Sequence, residues 1–315
     1  MNYRWPHIVL LLPLVLVAGC SHHHAHKTPL FEIIVPSQDN PFFKTEAEAA
    51  AARARQLGYR ARIDSHDDDA YRQDNLVDMA IASNAAVLLL DNAGADASIS
   101  AVRRATRAGI VCILMDREIN ANGIAKAQII ANNDQGAQLL ASYFEQLMHG
   151  QGTYAELLGK ESDTNAQIRT HGFHAVLDHD RNLKLVAAQS ANWSQSEAFQ
   201  KTEIILQQQA KLGGILAGND TMALGAAAAV KGSGRSDIQI VGFDGSPDAL
   251  AAIRSGEIQA TILQPAVKIA RMAVDEGDRY LRTHSTGLPE HQRIPCDLVT
   301  RKNVDDFAAF KRIHP

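Results

Sequence analysis

Short apolar runs alternate with longer stretches in which apolar positions recur at helical spacing, and the alternation begins at residue 30. LFEIIV (30–35) predicts a strand, and the alanine-rich KTEAEAAAARARQL (44–57) predicts a helix that Gly58 closes. RARID (60–64) is a second strand, 71–83 a second helix and AVLLL (86–90) a third strand. The next helix runs from Asp96 to Gly109, and the run at 110–115 stops at Asp116. AQIIA (127–131) leads through Asn132 and Asn133 into a helix that reaches His149. After Gly150 and Gly152 the pattern restarts with TYAELL (153–158), a helix around 168–177, LKLVAA (183–188), and a helix from Ser194 whose Glu197 completes a capping box. GGILA (213–217), a helix from Asp220 and IQIVGF (238–243) follow. The last run ends at Asp244, where Ser246 as N-cap and Pro247 at the first position open another helix.

Strands separated by helices of this length predict an α/β fold of βαβ units, with parallel sheets covered on both faces. AVLLLDN, helix, GIVCILMDRE in the first half corresponds to GGILAGND, helix, DIQIVGFDGS in the second, so two doubly wound lobes are expected. The tail offers only IQATIL, Gln264-Pro265, a helix over 266–281 and IPCDLV (294–299). It therefore crosses back between lobes, and crossings near Ala131, Gln264 and Ile294 predict a multi-strand hinge. The expected division is 30–131 plus 265–293 for an N-terminal lobe and 132–264 plus 294–315 for a C-terminal one.

The first 29 residues stand apart. Arg4 precedes an apolar run at 8–17, too short to span a bilayer comfortably, and Val17-Ala18-Gly19-Cys20 has the small-residue pattern of an export cleavage site. Residues 1–19 therefore look like a bacterial lipoprotein signal, with Cys20 as the lipid-bearing first residue of an extracytoplasmic or periplasmic protein anchored to a membrane. SHHHAHK after it suggests a polar tether over 20–29 in preference to a metal site, and no metal or cofactor is expected. Export permits disulfides, yet Cys112 and Cys296 both lie in apolar runs and suit buried, unpaired thiols. With 315 residues, 46% hydrophobic, there is apolar material for two medium domains. A net charge of −4 without any basic block excludes a nucleic-acid surface.

Ligands of open parallel sheets bind beyond the carboxyl ends of the strands. Those ends carry Asn40, Phe42, Phe43, Asp91, Asp116 and Arg117 in the first half, and Arg169, Trp193, Asn219 and Asp244 in the second, with Gln264 at a crossing. Carboxylates, amides and guanidinium groups suit hydroxyls, and flat aromatic faces suit the C–H face of a sugar ring. Each has a plainer reading too: Phe42 and Phe43 as core at a helix start, Trp193 as surface packing, Asp116 and Asp244 as caps, Arg169 on a solvated face. No phosphate loop, dinucleotide fingerprint or nucleophile elbow occurs, so an enzyme is not expected. A transcriptional repressor would need a DNA-reading helix pair where the export signal stands.

DNPFF (39–43), MDRE (115–118), RTHGF (169–173), ANW (191–193), GNDTMALGA (218–226), VGFDGSPD (241–248) and TILQP (261–265), in this order, resemble the type I periplasmic sugar-binding proteins of ABC importers, the ribose-binding and glucose/galactose-binding group. The resemblance implies a monomeric receptor, with Asn40, Asp116, Arg117, Arg169, Asn219, Asp244 and Gln264 as hydroxyl ligands and Phe42, Phe43 and Trp193 as stacking faces. It implies an ABC permease as partner, with a chemoreceptor or sensor kinase as the alternative. Arg117 and Gln264 follow the ribose-binding pattern. Trp193 and Asp91 depart from it, standing where ribose binders tend to have Phe and Asn. A pentose, tetritol, pentitol or related small polyol is the first expectation for the ligand, and a hexose the second.

Overall fold

The computed structural model describes residues 1–3, 28–308 and 310–313. The apolar run at 8–17, Cys20 and the histidine-rich stretch lie outside the described residues.

The first half runs β1 (Leu30–Val35), α1 (Pro41–Gln56), β2 (Arg60–Ser65), α2 (Ala70–Ala82), β3 (Val87–Leu90), α3 (Ile99–Arg107), β4 (Val111–Met115) and β5 (Ala127–Ala131). The second runs α4 (Asn133–Leu147), β6 (Gly152–Leu158), α5 (Thr164–Leu177), β7 (Leu183–Ser190), α6 (Gln195–Gln208), β8 (Leu212–Ala217), α7 (Asp220–Gly232), β9 (Gln239–Asp244), α8 (Pro247–Ser255) and β10 (Ala260–Leu263). The tail adds α9 (Ala266–Thr283), β11 (His291–Ile294), β12 (Asp297–Thr300) and a small hairpin, β13 (Phe307–Ala308) with β14 (Lys311–Arg312).

Two six-stranded sheets result, ordered β11-β5-β4-β3-β1-β2 and β12-β10-β9-β8-β6-β7. Within these two sheets every pairing is parallel except β10 with β12. Strands β1, β3, β4 and β5 are buried along their whole length because helices cover both faces of the sheet. In each sheet the winding reverses beside the first strand, between β1 and β3 and between β6 and β8. Such a switch point opens a crevice at the strands' carboxyl ends.

Within the described residues the chain passes between sheets three times: after β5, between β10 and α9, and between β11 and β12. Helix α9 packs on α1, β4 and β5 of the first sheet, although β10 before it belongs to the second. IPCDLV does not form one strand. Pro295, which lacks an N–H for a ladder, and Cys296 separate β11, parallel in one sheet, from β12, antiparallel in the other. Two helices also start earlier than their apolar spacing suggests: α1 at Pro41, capped by Asn40, and α5 at Thr164, capped by Asp163. Cys112 and Cys296 are buried free thiols.

Candidate functional site

A small cavity lies between the carboxyl ends of the two sheets. Asn40, Phe42, Phe43, Asp116, Arg117, Arg169, Trp193, Asn219, Asp244 and Gln264 all line it, so the fold gathers almost every residue singled out above into one place. Asp91 is the exception. Fully buried at the end of β3, it sits behind Arg117, whose Nε is 3.4 Å from Asp91 Oδ1, and does not line the cavity. Asp163 and Asn165, which strand-end reasoning passes over, do line it.

The aromatic faces are held by neighbours. Asn40 Oδ1 accepts from the Phe42 N–H at 3.0 Å, fixing the first turn of α1. Phe42 packs edge-on against both Phe43 and Phe310, each at 5.5 Å between ring centres. Phe310 comes from the tail, so the C-terminal segment supports a face built by the first helix. Asn192 and Trp193 both adopt left-handed backbone, φ 51° and 65°, and the indole Nε1 donates to Asp163 Oδ2 at 3.2 Å. Gly159 makes room for that ring: a Cβ there would meet Trp193 Cη2 at 2.0 Å.

The polar groups divide between the sheets. In the second, Arg169 donates from Nε to Asn133 Oδ1 and from Nη1 to the Gly218 carbonyl, both at 2.8 Å, and its guanidinium lies 3.9 Å from the centre of the Phe243 ring. Asp244 Oδ1 accepts from Gln264 Nε2 at 2.7 Å and stands 3.5 Å from Arg169 Nη1. In the first sheet, Arg117 lies 5.0 Å from the Phe43 ring centre and pairs with Asp68 at 2.8 Å. Across the cleft its Nε is 2.8 Å from Asp163, and Asn165 Nδ2 donates to the Asp116 carbonyl at 3.1 Å. Both strand-tip acids have positive φ, 60° for Asp116 and 130° for Asp244, a strain of about 1–3 kcal/mol that surrounding contacts must hold.

Burial dominates the electrostatics. It pushes Asp116 up to about 7 against the pull of Arg117, and Asp244 up to about 7 against the pull of Arg169. Asp91 is raised well above the usual carboxylate range by burial, again opposed by Arg117. Among the buried polar atoms of the described residues that have no hydrogen-bond partner, Asp116 Oδ1, Arg117 Nη2 and Gln264 Oε1 belong to residues that line the cavity. A buried polar atom left unpaired costs about 1–3 kcal/mol, and at a cavity wall a ligand's hydroxyls can supply the missing partner.

Asp163 and Asn165 could have been found from sequence by the N-cap pattern. Asp163 opens α5, and its Oδ1 accepts from the Asn165 N–H at 2.9 Å. Apolar periodicity becomes visible only near Ile168, one turn later, which hides that start.

Comparison with known proteins agrees with this architecture. The periplasmic binding protein domain matches residues 31–285. The chain is 53% identical over 307 residues to the D-apiose import binding protein of Paraburkholderia graminis, covering 98% of this chain and 97% of that one. It is 49% identical over 282 residues to the D-apiose import binding protein of Actinobacillus succinogenes, covering 89% and 91% respectively. Among solved structures, an ABC transporter periplasmic solute binding protein from Actinobacillus succinogenes with bound D-allose superposes with a TM-score of 0.83 at 25% identity, covering 89% of this chain and all of that one. Matched along most of its length in sequence and in fold, with its cavity where two doubly wound halves meet, the chain belongs to the periplasmic binding protein family.

Proposed function

We propose that the chain captures a small neutral sugar or polyol in this cavity and hands it to the transmembrane subunits of an ABC importer, with D-apiose as the first candidate. One observation carries the reading: three aromatic residues, Phe42, Phe43 and Trp193, line the same cavity as the residues of the unpartnered Asp116 Oδ1, Arg117 Nη2 and Gln264 Oε1. Two acceptors and a donor beside apolar plates fit a molecule with several hydroxyls and a C–H face. The names of the relatives point the same way.

In this reading Asp116 and Asp244 accept from hydroxyls, while Arg117 and Arg169 donate. Asn40 Oδ1 is already engaged with the Phe42 N–H, so Asn40 offers its amide hydrogens. Asn219 accepts from the Met222 N–H and donates to Thr221 Oγ1, which leaves it one free hydrogen. Asp91 tunes Arg117 from behind without touching the sugar. The lobes, 30–131 plus 265–293 and 132–264 plus 294–315, would close on the ligand as a monomer, and no catalytic step is assigned. The family is periplasmic, so the chain works outside the cytoplasm. A lipid on Cys20 would hold it beside the permease, a role inferred from the N-terminal sequence alone.

Isothermal titration of the purified chain against D-apiose, D-ribose, erythritol, ribitol, D-allose and D-glucose tests the proposal. Low-micromolar or tighter binding of one five-carbon ligand is expected. A hexose as the tightest ligand would overturn the five-carbon expectation, and silence across the panel would overturn the sugar reading.

A further inference from the structure

The loop from β2 into α2 carries three aspartates, Asp67, Asp68 and Asp69, and none of them lines the cavity. His66 sets its shape. The buried imidazole accepts the Asp68 N–H at Nδ1, 3.0 Å away, and its Nε2 is 2.8 Å from the Asp91 carbonyl oxygen. With Nδ1 accepting, Nε2 must donate, so the ring is neutral and of fixed tautomer. Asp67 and Asp68 are both left-handed, φ 51° and 58°, and Asp69 caps α2.

In this conformation Asp68 faces two cations at once. Its Oδ1 accepts from Arg117 Nη1 at 2.8 Å, within its own half of the protein. From the other half, Lys160 Nζ donates to the Asp68 carbonyl at 3.1 Å and lies 3.8 Å from Asp68 Oδ2. Lys160 directly follows Gly159, the residue that seats Trp193, and its loop continues to Asp163, which also pairs with Arg117. Thus the segment that reaches Asp68 also delivers an aromatic face and a carboxylate to the cavity.

We infer that Asp68 is a positioning residue that couples the guanidinium of Arg117 to the approach of Lys160 from the opposite half, so that closure itself sets a ligand-facing group. The inference rests on the reading of the cavity as a sugar site. Arg117 has five donors and no acceptor, and its orientation is set by the carboxylates and carbonyls around it. Asn92 O, 3.0 Å from Nη1, belongs to the same half and holds Arg117 whether or not the cleft is closed. The Lys160 contact to Asp68 forms only when the halves meet. A contact present only in the closed state slows opening and leaves encounter with ligand nearly unchanged, so its loss appears in dissociation.

The test uses stopped-flow fluorescence of the whole chain with D-apiose as probe, alongside urea unfolding. Lys160→Met should raise the dissociation rate about fivefold, with the association rate within about twofold and the unfolding midpoint unchanged, since the contact is a partly exposed ion pair with one added hydrogen bond. Lys160→Arg, which keeps a cation within reach, should restore the wild-type rate. Asp68→Asn should raise dissociation by about tenfold, and adding Lys160→Met to it should cost clearly less than the fivefold it costs alone, because the Asn variant has already lost the carboxylate contact and keeps only the main-chain carbonyl for Lys160. Wild-type dissociation in Lys160→Met, or losses that multiply in full in the double variant, would overturn the coupling alone. A wild-type chain that binds no sugar would overturn the site reading and this inference with it.

Discussion

Asp116 and Asp244 end equivalent strands, β4 and β9, of two sheets with the same winding, yet they are held in opposite ways. Asp244 is engaged by Gln264, and its neighbour Arg169 is locked by Asn133 and the Gly218 carbonyl. Asp116 keeps an unpartnered Oδ1, and its neighbour Arg117 is shared among Asp68, Asp91 and Asp163, the last of these on the other side of the cleft. One face of the cavity is therefore preassembled within its own half. The other is completed by contacts that the opposite half supplies.

Removing Arg117 breaks that comparison most severely. Arg117→Ala leaves Asp91 buried with neither oxygen hydrogen-bonded and takes the cation away from Asp163. A destabilisation of about 3–5 kcal/mol and loss of sugar binding are expected, measured by urea unfolding and titration calorimetry. An unchanged midpoint would mean that the acids around Arg117 do not depend on it. Asp244→Ala should be next in size, weakening binding by about 2–5 kcal/mol with the fold retained, because Arg169 keeps Asn133, Gly218 and the Phe243 ring. Preserved affinity would remove Asp244 from the site.

The doubly wound halves were legible because strands covered on both faces are written as apolar runs, unbroken in β3 and β4 and interrupted only by Glu32 in β1. The strand-tip acids were legible for a related reason: a carboxylate that ends such a run stands where the sheet stops excluding water. Which way a tip residue points was not. Asp91 closes AVLLL as Asp116 closes its own run, but it turns behind Arg117 into the interior. Asp163 and Asn165 were hidden because a capped first turn carries no apolar periodicity. Phe310 and Gly159 could not be found at all from spacing, since each matters only through contact with a residue remote in the chain.

Gly159 gives the third prediction. With a Cβ 2.0 Å from Trp193 Cη2, Gly159→Ala forces the indole out of its seat and strains its bond to Asp163. Overpacking of this kind costs about 1–3 kcal/mol, expected here as weakened D-apiose binding together with a shifted tryptophan emission maximum. If both stay at wild-type values, Trp193 does not occupy that seat in solution.

The mildest probe is pH, and it reaches both acids together. Burial raises Asp116 and Asp244 from an ordinary 3.8 to about 7. The folded state therefore holds their protons more tightly than the unfolded chain. The stability so gained is fully present below the unfolded value near 3.8 and is lost as pH rises through about 7. Sugar works in the other direction. A hydroxyl donating to a carboxylate favours its ionised form, so bound ligand makes these groups more acidic, protons are released on binding, and affinity rises as pH increases from about 6 to about 8. Making one carboxyl about tenfold more acidic in the complex corresponds to about tenfold in affinity. Calorimetry in two buffers of different ionisation enthalpy counts the released protons directly. Asp116→Asn should flatten the profile more than a change at preassembled Asp244, whose carboxylate already has a donor in Gln264. A flat wild-type profile with no proton release would mean that neither acid accepts from the sugar, and the distinction between the two faces would lose its functional meaning.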